Sequence, residues 1–161
     1  AIATSGPGAT NLVTGIADAQ IDSTPMLCIT GQVASSLLGS DAFQETDIIG
    51  ISTPVTKWSY QITKAAEIPE IFAKAFYIAK SGRPGPVVID IPKDLTKPED
   101  LFEYSYPKSV KMRSYSPASR GHLGQIKKAS RLLLGAKRPV IYAGGGVILG
   151  RSSDLLKELA E

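Results

Sequence analysis

The sequence predicts an α/β fold in which a parallel sheet is covered by helices. Three observations predict it: short apolar runs alternate with amphipathic stretches, glycine or proline marks most joins, and the joins are short. Alternation of this kind builds βαβ units, whose parallel strands are buried on both faces. We therefore expect such a sheet in the first part of the chain.

The first unit begins with the end of a strand at residues 1–4 and a Gly6-Pro7-Gly8 turn. Apolar residues at helical spacing follow from Leu12 to Ile21. Met26–Thr30 is a continuous apolar run, typical of a strand covered on both sides. Within it, the single cysteine, Cys28, is expected to be a small core residue rather than a nucleophile.

The next elements are a loop, a strand, a helix and a second buried strand. Residues 31–53 are predicted to be mostly loop, with a helical turn near 43–48, and 55–62 a strand. An apolar stripe predicts a helix over 66–80. Prolines bracket the apolar strand predicted at 86–92.

A change in composition divides the rest of the chain. Residues 96–118 are rich in proline and aromatic residues without a sustained period, which indicates an ordered linker. Residues 119–161 read as the start of a second, Rossmann-like α/β domain. It is predicted to contain a helix, a strand at Pro139–Ala143, a glycine turn and a final helix capped by Ser152 or Ser153.

Bulk composition excludes several classes of function. The 161 residues are 43% hydrophobic and 20% charged, as in ordinary globular proteins. No apolar run is long enough to suggest a membrane span. The net charge of +3, with loosely spaced lysines, favours a solvated surface over a nucleic-acid partner. One cysteine excludes an internal disulfide and favours a cytosolic or organellar-matrix setting.

Three polar segments are expected to follow strand ends: the Gly6-Pro7-Gly8 turn, the loop over 31–47, and Lys93. Ligands of parallel sheets lie beyond the carboxyl ends of the strands, so a site is predicted there. The glycine turn admits two interpretations, a cradle for a cofactor or anion, or a tight strand-to-helix turn. Gly144-Gly145-Gly146 is a weaker signal of the same kind, because Leu149 occupies the third glycine position of a dinucleotide loop.

The carboxylates of the loop over 41–47 also leave two interpretations open. They could bind a metal, although the pattern fits no calcium loop, or they could cap a helical turn. The lone histidine, His122, lies in the predicted second domain, so no nucleophile–histidine pair is available at this site. We therefore predict no catalytic residue and no metal site within the chain, so that the chemistry comes from a cofactor or from residues elsewhere.

Four motifs together closely resemble the catalytic subunits of the acetolactate synthase (acetohydroxyacid synthase) family of thiamine-diphosphate enzymes. The resemblance covers most of residues 1–95 and, more thinly, the start of the next domain. The motifs are Ala3-Thr4-Ser5-Gly6-Pro7-Gly8-Ala9-Thr10-Asn11, Ile29-Thr30-Gly31-Gln32-Val33, Asp41-Ala42-Phe43-Gln44-Glu45-Thr46-Asp47, and Ser81-Gly82-Arg83-Pro84-Gly85-Pro86 with Ile91-Pro92-Lys93-Asp94.

The resemblance implies a domain arrangement and a set of cofactors. Residues 1–95 would be the C-terminal part of a pyrimidine-binding domain, and 119–161 the start of a central FAD-binding domain. The family's catalytic glutamate would lie upstream of Ala1, and Mg²⁺ with the diphosphate of thiamine diphosphate in a third domain. The chain is thus expected to be a piece of a longer protein and inactive alone.

The resemblance also implies roles for individual residues. The residues implied to bind a cofactor are Gly6, Pro7, Gly8, Ser23, Gln44, Arg83, Gly144, Gly145 and Gly146. Those implied to line the substrate channel are Ala34, Phe43, Lys57 and Lys93. Ala34 stands where many relatives have proline, and Trp58 where many have histidine, so the shape of the channel is left open.

The implied reaction condenses pyruvate with a second 2-oxo acid, with loss of CO₂, in branched-chain amino-acid biosynthesis. A homodimer or higher homo-oligomer and a regulatory subunit are implied, in the cytoplasm of a bacterium or in an organelle of a eukaryote. Two alternatives stay open: another thiamine-diphosphate and FAD enzyme, such as a pyruvate oxidase or carboligase, and a non-catalytic α/β binding module.

Overall fold

The computed structural model describes residues 1–97 and 102–161. It divides into two compact units, Ala1–Ala118 and Ser119–Glu161. The predicted linker includes residues 98–101, which lie outside the described residues.

The first unit contains a four-stranded, all-parallel sheet in the order β1-β2-β4-β3. The strands are β1 (Ile2–Ala3), β2 (Met26–Gln32), β3 (Trp58–Gln61) and β4 (Pro86–Pro92). Strand β4 pairs with β2 over its whole length, from Met26 opposite Pro86 to Gln32 opposite Pro92. The predicted parallel sheet is confirmed, and β4 lies at its centre.

Helices cover both faces of this sheet. The helices of the first unit are α1 (Pro7–Asn11), α2 (Val13–Ile21), α3 (Ile48–Ser52) and α4 (Ile68–Lys80). Val87 and Ile89 of β4 pack in one buried cluster with α4. Val88 points to the other face and packs with Cys28 and residues of α1, α2 and α3. Alternation of side chains along a strand thus explains why the run 87–89 is wholly apolar.

Cys28 is fully buried, as predicted for a core residue. Its burial raises the pKa of the thiol above the ordinary value. Because the thiolate is the reactive form of cysteine, this shift disfavours nucleophilic chemistry at Cys28.

Three predicted elements have different bounds. The helix predicted after the glycine turn is divided at Leu12 into α1 and α2. The helical turn predicted near 43–48 lies further along, as α3, where the carboxylate of Asp47 caps the helix by accepting from the N–H of Gly50 at 2.8 Å. Strand β3 begins late because Thr53–Val55 forms a 3₁₀ turn around Pro54.

The second unit contains three helices: α5 (Leu123–Leu134), α6 (Gly145–Leu149) and α7 (Ser153–Ala160). The strand predicted at Pro139–Ala143 was wrong, because no described segment pairs with it. A β-strand is stabilised by hydrogen bonds to a neighbouring strand. Residues 139–143 lack such a neighbour, and the side chain of Val140 is 90% exposed. The Rossmann-like character of this unit stays a prediction.

Within the described part of the chain, no helix combines the length and apolar character that a membrane crossing requires.

The central position of β4 predicts the cost of truncating its core side chains. Ile89→Ala removes a fully buried side chain, and we expect it to lower the free energy of unfolding by about 2–5 kcal/mol. The measurement is urea denaturation of the chain, followed by the fluorescence of its single tryptophan, Trp58. Ile21→Ala is the control, because Ile21 is 74% exposed. Equal losses in the two variants would contradict this packing.

Candidate functional site

The carboxyl edge of the sheet gathers three of the predicted site segments. The Gly6-Pro7-Gly8 turn follows β1, the loop containing Ala34, Phe43 and Gln44 follows β2, and Lys93 follows β4. The expectation that these segments follow strand ends is confirmed. In a parallel sheet they therefore share one edge, where ligands are usually bound.

The turn after β1 touches the loop after β2. Gly6 has a φ of 60°, and a Cβ there would lie 2.7 Å from the carbonyl oxygen of Gln44 and 2.9 Å from its Cα. Glycine is therefore required at this position both by the left-handed conformation and by the approach of Gln44. Of the two interpretations of the turn, tight packing within the chain accounts for Gly6.

The loop over 39–47 is folded around the carboxylate of Glu45. Glu45 accepts hydrogen bonds from the backbone N–H groups of Gly39 and Ala42, the latter at 2.9 Å. These bonds hold the pKa of Glu45 below its ordinary value of 4.5. Together with the capping role of Asp47, this arrangement uses the carboxylates to hold the loop, and no group of metal-ligating residues is found among those described.

This loop presents two side chains to solvent. Phe43 is 88% exposed, and the neighbouring Gln44 is also exposed. The backbone of Gln44 has a φ of 61°, which is rare for a residue with a side chain and is maintained only when the surroundings enforce it. An aromatic ring and an amide are thus displayed side by side on a constrained backbone.

Beneath the loop lies a buried carboxylate, Asp90, whose role the sequence analysis missed. Its side chain is fully buried and accepts three hydrogen bonds from neighbouring strands. The donors are Thr30 Oγ1 at 2.6 Å, Gln61 Nε2 at 2.8 Å and Gln32 Nε2 at 3.1 Å. The available signal was one acidic residue within the apolar run of β4.

The environment of Asp90 changes its acidity. Burial raises the pKa of the carboxyl above its ordinary value of 3.8, against the opposing effect of the three hydrogen bonds. Desolvation disfavours the charged form, whereas donors to the carboxylate favour it. Thr30 bears a hydroxyl, which can reverse its hydrogen bond when Asp90 is protonated.

The loops after β2 and β4 are also joined directly. Asp94 accepts from the backbone N–H of Ser35 at 2.8 Å and from its hydroxyl at 3.1 Å. The bond from the Ser35 backbone lowers the pKa of the Asp94 carboxyl below its ordinary value. This contact ties the neighbours of Ala34 and Lys93 together at the same edge.

Three other predicted site residues lie at the opposite, amino edge. Ser23 precedes β2, Lys57 precedes β3, and Arg83 precedes β4. The seven residues of β4 separate the two edges by about 20 Å. The structure therefore does not bring Ser23, Lys57 and Arg83 together with Phe43, Gln44 and Lys93.

Arg83 closes the C-terminus of α2. Its Nε donates to the hydroxyl of Ser23 at 2.8 Å, and one terminal nitrogen donates to the carbonyl oxygen of Ile21 at 2.8 Å. A cation there complements the negative end of the helix dipole. The remaining guanidinium N–H groups are those that an external ligand could use.

Lys57 occupies the same kind of position at the C-terminus of α4. Its ammonium donates to the carbonyl oxygens of Ile78 and Ser81 and to the hydroxyl of Tyr115. An ammonium group has three N–H donors, and all three are engaged. The bond from Lys57 lowers the pKa of Tyr115 against the effect of desolvation. The channel role of Lys57 stays a prediction.

In the second unit, Gly144, Gly145 and Gly146 lie at the start of α6. A Cβ added at any of the three would meet nothing within 4 Å. Unlike Gly6, these glycines are therefore not required by contacts among the described residues.

Comparison with known families finds a match within the first unit. Residues 1–51 match the family described as "Thiamine pyrophosphate enzyme, N-terminal TPP binding domain". The matched range contains both the glycine turn and the loop with Phe43 and Gln44. Over these residues the chain is similar to a thiamine-diphosphate-binding domain.

Curated relatives give a more specific similarity over almost the whole chain. The chain is 58% identical over 160 residues to an acetolactate synthase large subunit of Buchnera aphidicola, covering 99% of the chain and 28% of that relative. It is 53% identical to the Escherichia coli acetolactate synthase isozyme 3 large subunit, covering 99% of the chain and 28% of the relative. For a Methanocaldococcus jannaschii "probable acetolactate synthase large subunit" the identity is 54% over 161 residues, with 27% of the relative covered. The resemblance to acetolactate synthase catalytic subunits is confirmed, and the chain spans somewhat more than a quarter of these relatives.

The raised pKa of Asp90 predicts a pH dependence of stability. Asp90→Asn keeps an acceptor but cannot titrate. Because the folded wild type takes up a proton before the unfolded chain does, its free energy of unfolding should rise relative to the variant as the pH falls from above the folded pKa to about 3.8. Each unit of pKa shift corresponds to about 1.4 kcal/mol. Urea denaturation between about pH 7 and pH 4 measures this difference, and one that falls with acidification would contradict the shift.

The wrapping of the loop around Glu45 predicts the effect of removing that carboxylate. In Glu45→Ala the backbone N–H groups of Gly39 and Ala42 lose their acceptor, so they should exchange with deuterium about tenfold faster or more. Hydrogen exchange followed by NMR measures this directly. Glu70→Ala is the control, because Glu70 is an exposed carboxylate on α4 whose contact is an ion pair with Lys74. Unchanged protection at Gly39 and Ala42 would show that the loop is held by other contacts.

Proposed function

We propose that the chain is part of the catalytic subunit of an acetolactate synthase, a thiamine-diphosphate-dependent enzyme of branched-chain amino-acid biosynthesis. The full-length enzyme joins pyruvate to a second 2-oxo acid with loss of CO₂. The observation that carries the proposal is the display of Phe43 and Gln44, on a loop seated against Gly6, at the carboxyl edge of the sheet. Similarity to acetolactate synthase large subunits over 99% of the chain supports the same assignment.

The exposed side chains suit the aminopyrimidine of thiamine diphosphate. The amide of Gln44 offers both a donor and an acceptor, and the ring of Phe43 offers an apolar wall. When bound, thiamine diphosphate supplies the stabilisation of negative charge that a 2-oxo acid needs to lose CO₂. Gln44 would orient the heterocycle, and Phe43 would exclude water from the reacting carbon.

Lys93 completes this part of the site. It is exposed at the end of β4, and the Asp94–Ser35 contact fixes the segment that carries it. A lysine ammonium there would attract the carboxylate of a 2-oxo acid. We assign it, with Ala34 and Phe43, to the substrate channel.

The proposal includes FAD and Mg²⁺ as further cofactors. In the second unit, the open approach over Gly144, Gly145 and Gly146 supports FAD binding. In the first unit, the guanidinium N–H groups of Arg83 that the C-terminus of α2 leaves free support a cofactor-binding role for Arg83. Mg²⁺ and the catalytic glutamate are assigned to parts of the enzyme beyond residues 1–161. By the same reasoning, residues 1–95 are assigned to the pyrimidine-binding domain and residues 119–161 to the FAD-binding domain.

The assembly follows from the same proposal. The curated relatives are named "large subunit", which supports a smaller regulatory partner for this enzyme as well. We propose a homodimer, in which the carboxyl edge forms one wall of the active site, and a cytoplasmic or organellar location.

The direct test is an assay of the full-length enzyme with pyruvate, thiamine diphosphate, Mg²⁺ and FAD. We expect acetolactate to form only when thiamine diphosphate is present, and the 161-residue chain alone to be inactive.

Gln44→Ala should raise the KM for thiamine diphosphate about tenfold by removing a hydrogen-bonding amide. Gln125→Ala, an exposed glutamine on α5, is the matched control and should leave that KM unchanged.

Two outcomes would contradict the proposal. Hydrogen peroxide formed in place of acetolactate would identify a pyruvate oxidase. A complete absence of turnover, together with no binding of thiamine diphosphate to the full-length protein, would favour a non-catalytic module.

A further inference from the structure

Gln32, the last residue of β2, joins the sheet to the loop that displays Phe43 and Gln44. The side chain of Gln32 is buried, with 6% of its surface exposed. Its Nε2 donates to the carbonyl oxygen of Thr46 at 2.8 Å and to Oδ2 of Asp90 at 3.1 Å. Its Oε1 accepts from the backbone N–H of Val33 at 2.9 Å. One amide thus makes three contacts, to the loop, to β4 and to the backbone of the next residue.

These contacts fix the orientation of the Gln32 amide. Thr46 and Asp90 both present oxygen acceptors, so the NH₂ group must face them, and the N–H of Val33 requires the carbonyl on the other side. A carboxylate at position 32 would face these acceptors without a donor. Only a side chain that bears both a donor and an acceptor satisfies the three partners.

The loop needs such an anchor because its backbone is strained. Gln44 has a positive φ, and so does Asp41. Conformations of this kind persist where the surroundings over-determine them. Gln44 is held on one side by its contact with Gly6, and the backbone two residues later is held by Gln32. Loss of either contact would allow the side chain of Gln44 to adopt other orientations.

We propose that Gln32, oriented by Asp90, is a positioning residue that fixes the loop at Thr46 and thereby aims Gln44 and Phe43 at the bound heterocycle. Gln32 does not itself meet a ligand. The identity of that heterocycle rests on the proposed function, whereas the positioning of the loop rests on the hydrogen bonds alone.

The chain provides a matched control for this proposal. Gln61 donates to the same Oδ2 of Asp90, at 2.8 Å, but within the described part of the chain its side chain makes no hydrogen bond to the loop over 39–47. Gln61→Met and Gln32→Met therefore remove the same kind of bond from Asp90, and Gln32→Met alone also releases Thr46. Gln32→Asn is a milder second variant, which keeps the amide but shortens its reach, for use if Gln32→Met does not fold.

The experiment measures two properties in the full-length enzyme. The first is backbone hydrogen exchange of residues 42–46 without cofactor, and the second is the KM for thiamine diphosphate beside kcat for acetolactate formation. We expect Gln32→Met to accelerate the exchange about tenfold and to raise the KM about tenfold, with a further loss in kcat because misplaced groups lower the rate. Gln61→Met should leave all three within about twofold, although both variants lower the melting temperature.

Two results would overturn the proposal: equal changes in KM for the two variants at equal loss of melting temperature, or unchanged exchange of residues 42–46 in Gln32→Met and Gln32→Asn. Failure of the proposed function would be distinguishable from either. In that case the wild type would form no acetolactate, while the exchange measurement would still report whether Gln32 holds the loop.

Discussion

The buried carboxylate of Asp90 is the interaction on which the carboxyl edge of the sheet depends. It lies on the central strand β4 and receives donors from both neighbouring strands. Burying a carboxylate costs free energy unless its oxygens accept hydrogen bonds. The three donor residues therefore tolerate substitution as poorly as Asp90 itself. The same network that closes the core orients Gln32, and Gln32 reaches the loop above. Stability and the geometry of the site therefore share one set of hydrogen bonds.

The loop itself shows how a short segment without regular structure can be well defined. Glu45 collects the backbone N–H groups around it, Asp47 begins α3, and Gly6 leaves just enough room for the backbone of Gln44. The acidic side chains that first suggest a metal site thus serve the backbone. In this loop, the ring of Phe43 and the amide of Gln44 are left to contact a ligand, and neither group carries a charge.

The sequence predicted those features that depend on local pattern or on general topology. Strand β4 follows from its apolar run, and α4 from its apolar stripe. The meeting of the glycine turn, the loop and Lys93 follows from parallel strand direction. The Asp90 network could not be predicted, because only the register of three strands places Thr30 and Gln61 beside it. The failure at Pro139–Ala143 has the same cause, since apolar character does not supply a pairing partner.

The two cations of the amino edge have a consequence for genetics. Arg83 and Lys57 each close the carboxyl end of a helix, and each does so from a segment distant in sequence. A substitution at either position would leave helix carbonyls without their partner and would also remove a charge from the surface. Alleles that change these residues should therefore behave as temperature-sensitive. The activity they lose at high temperature would reflect unfolding of the domain rather than a defect in ligand binding.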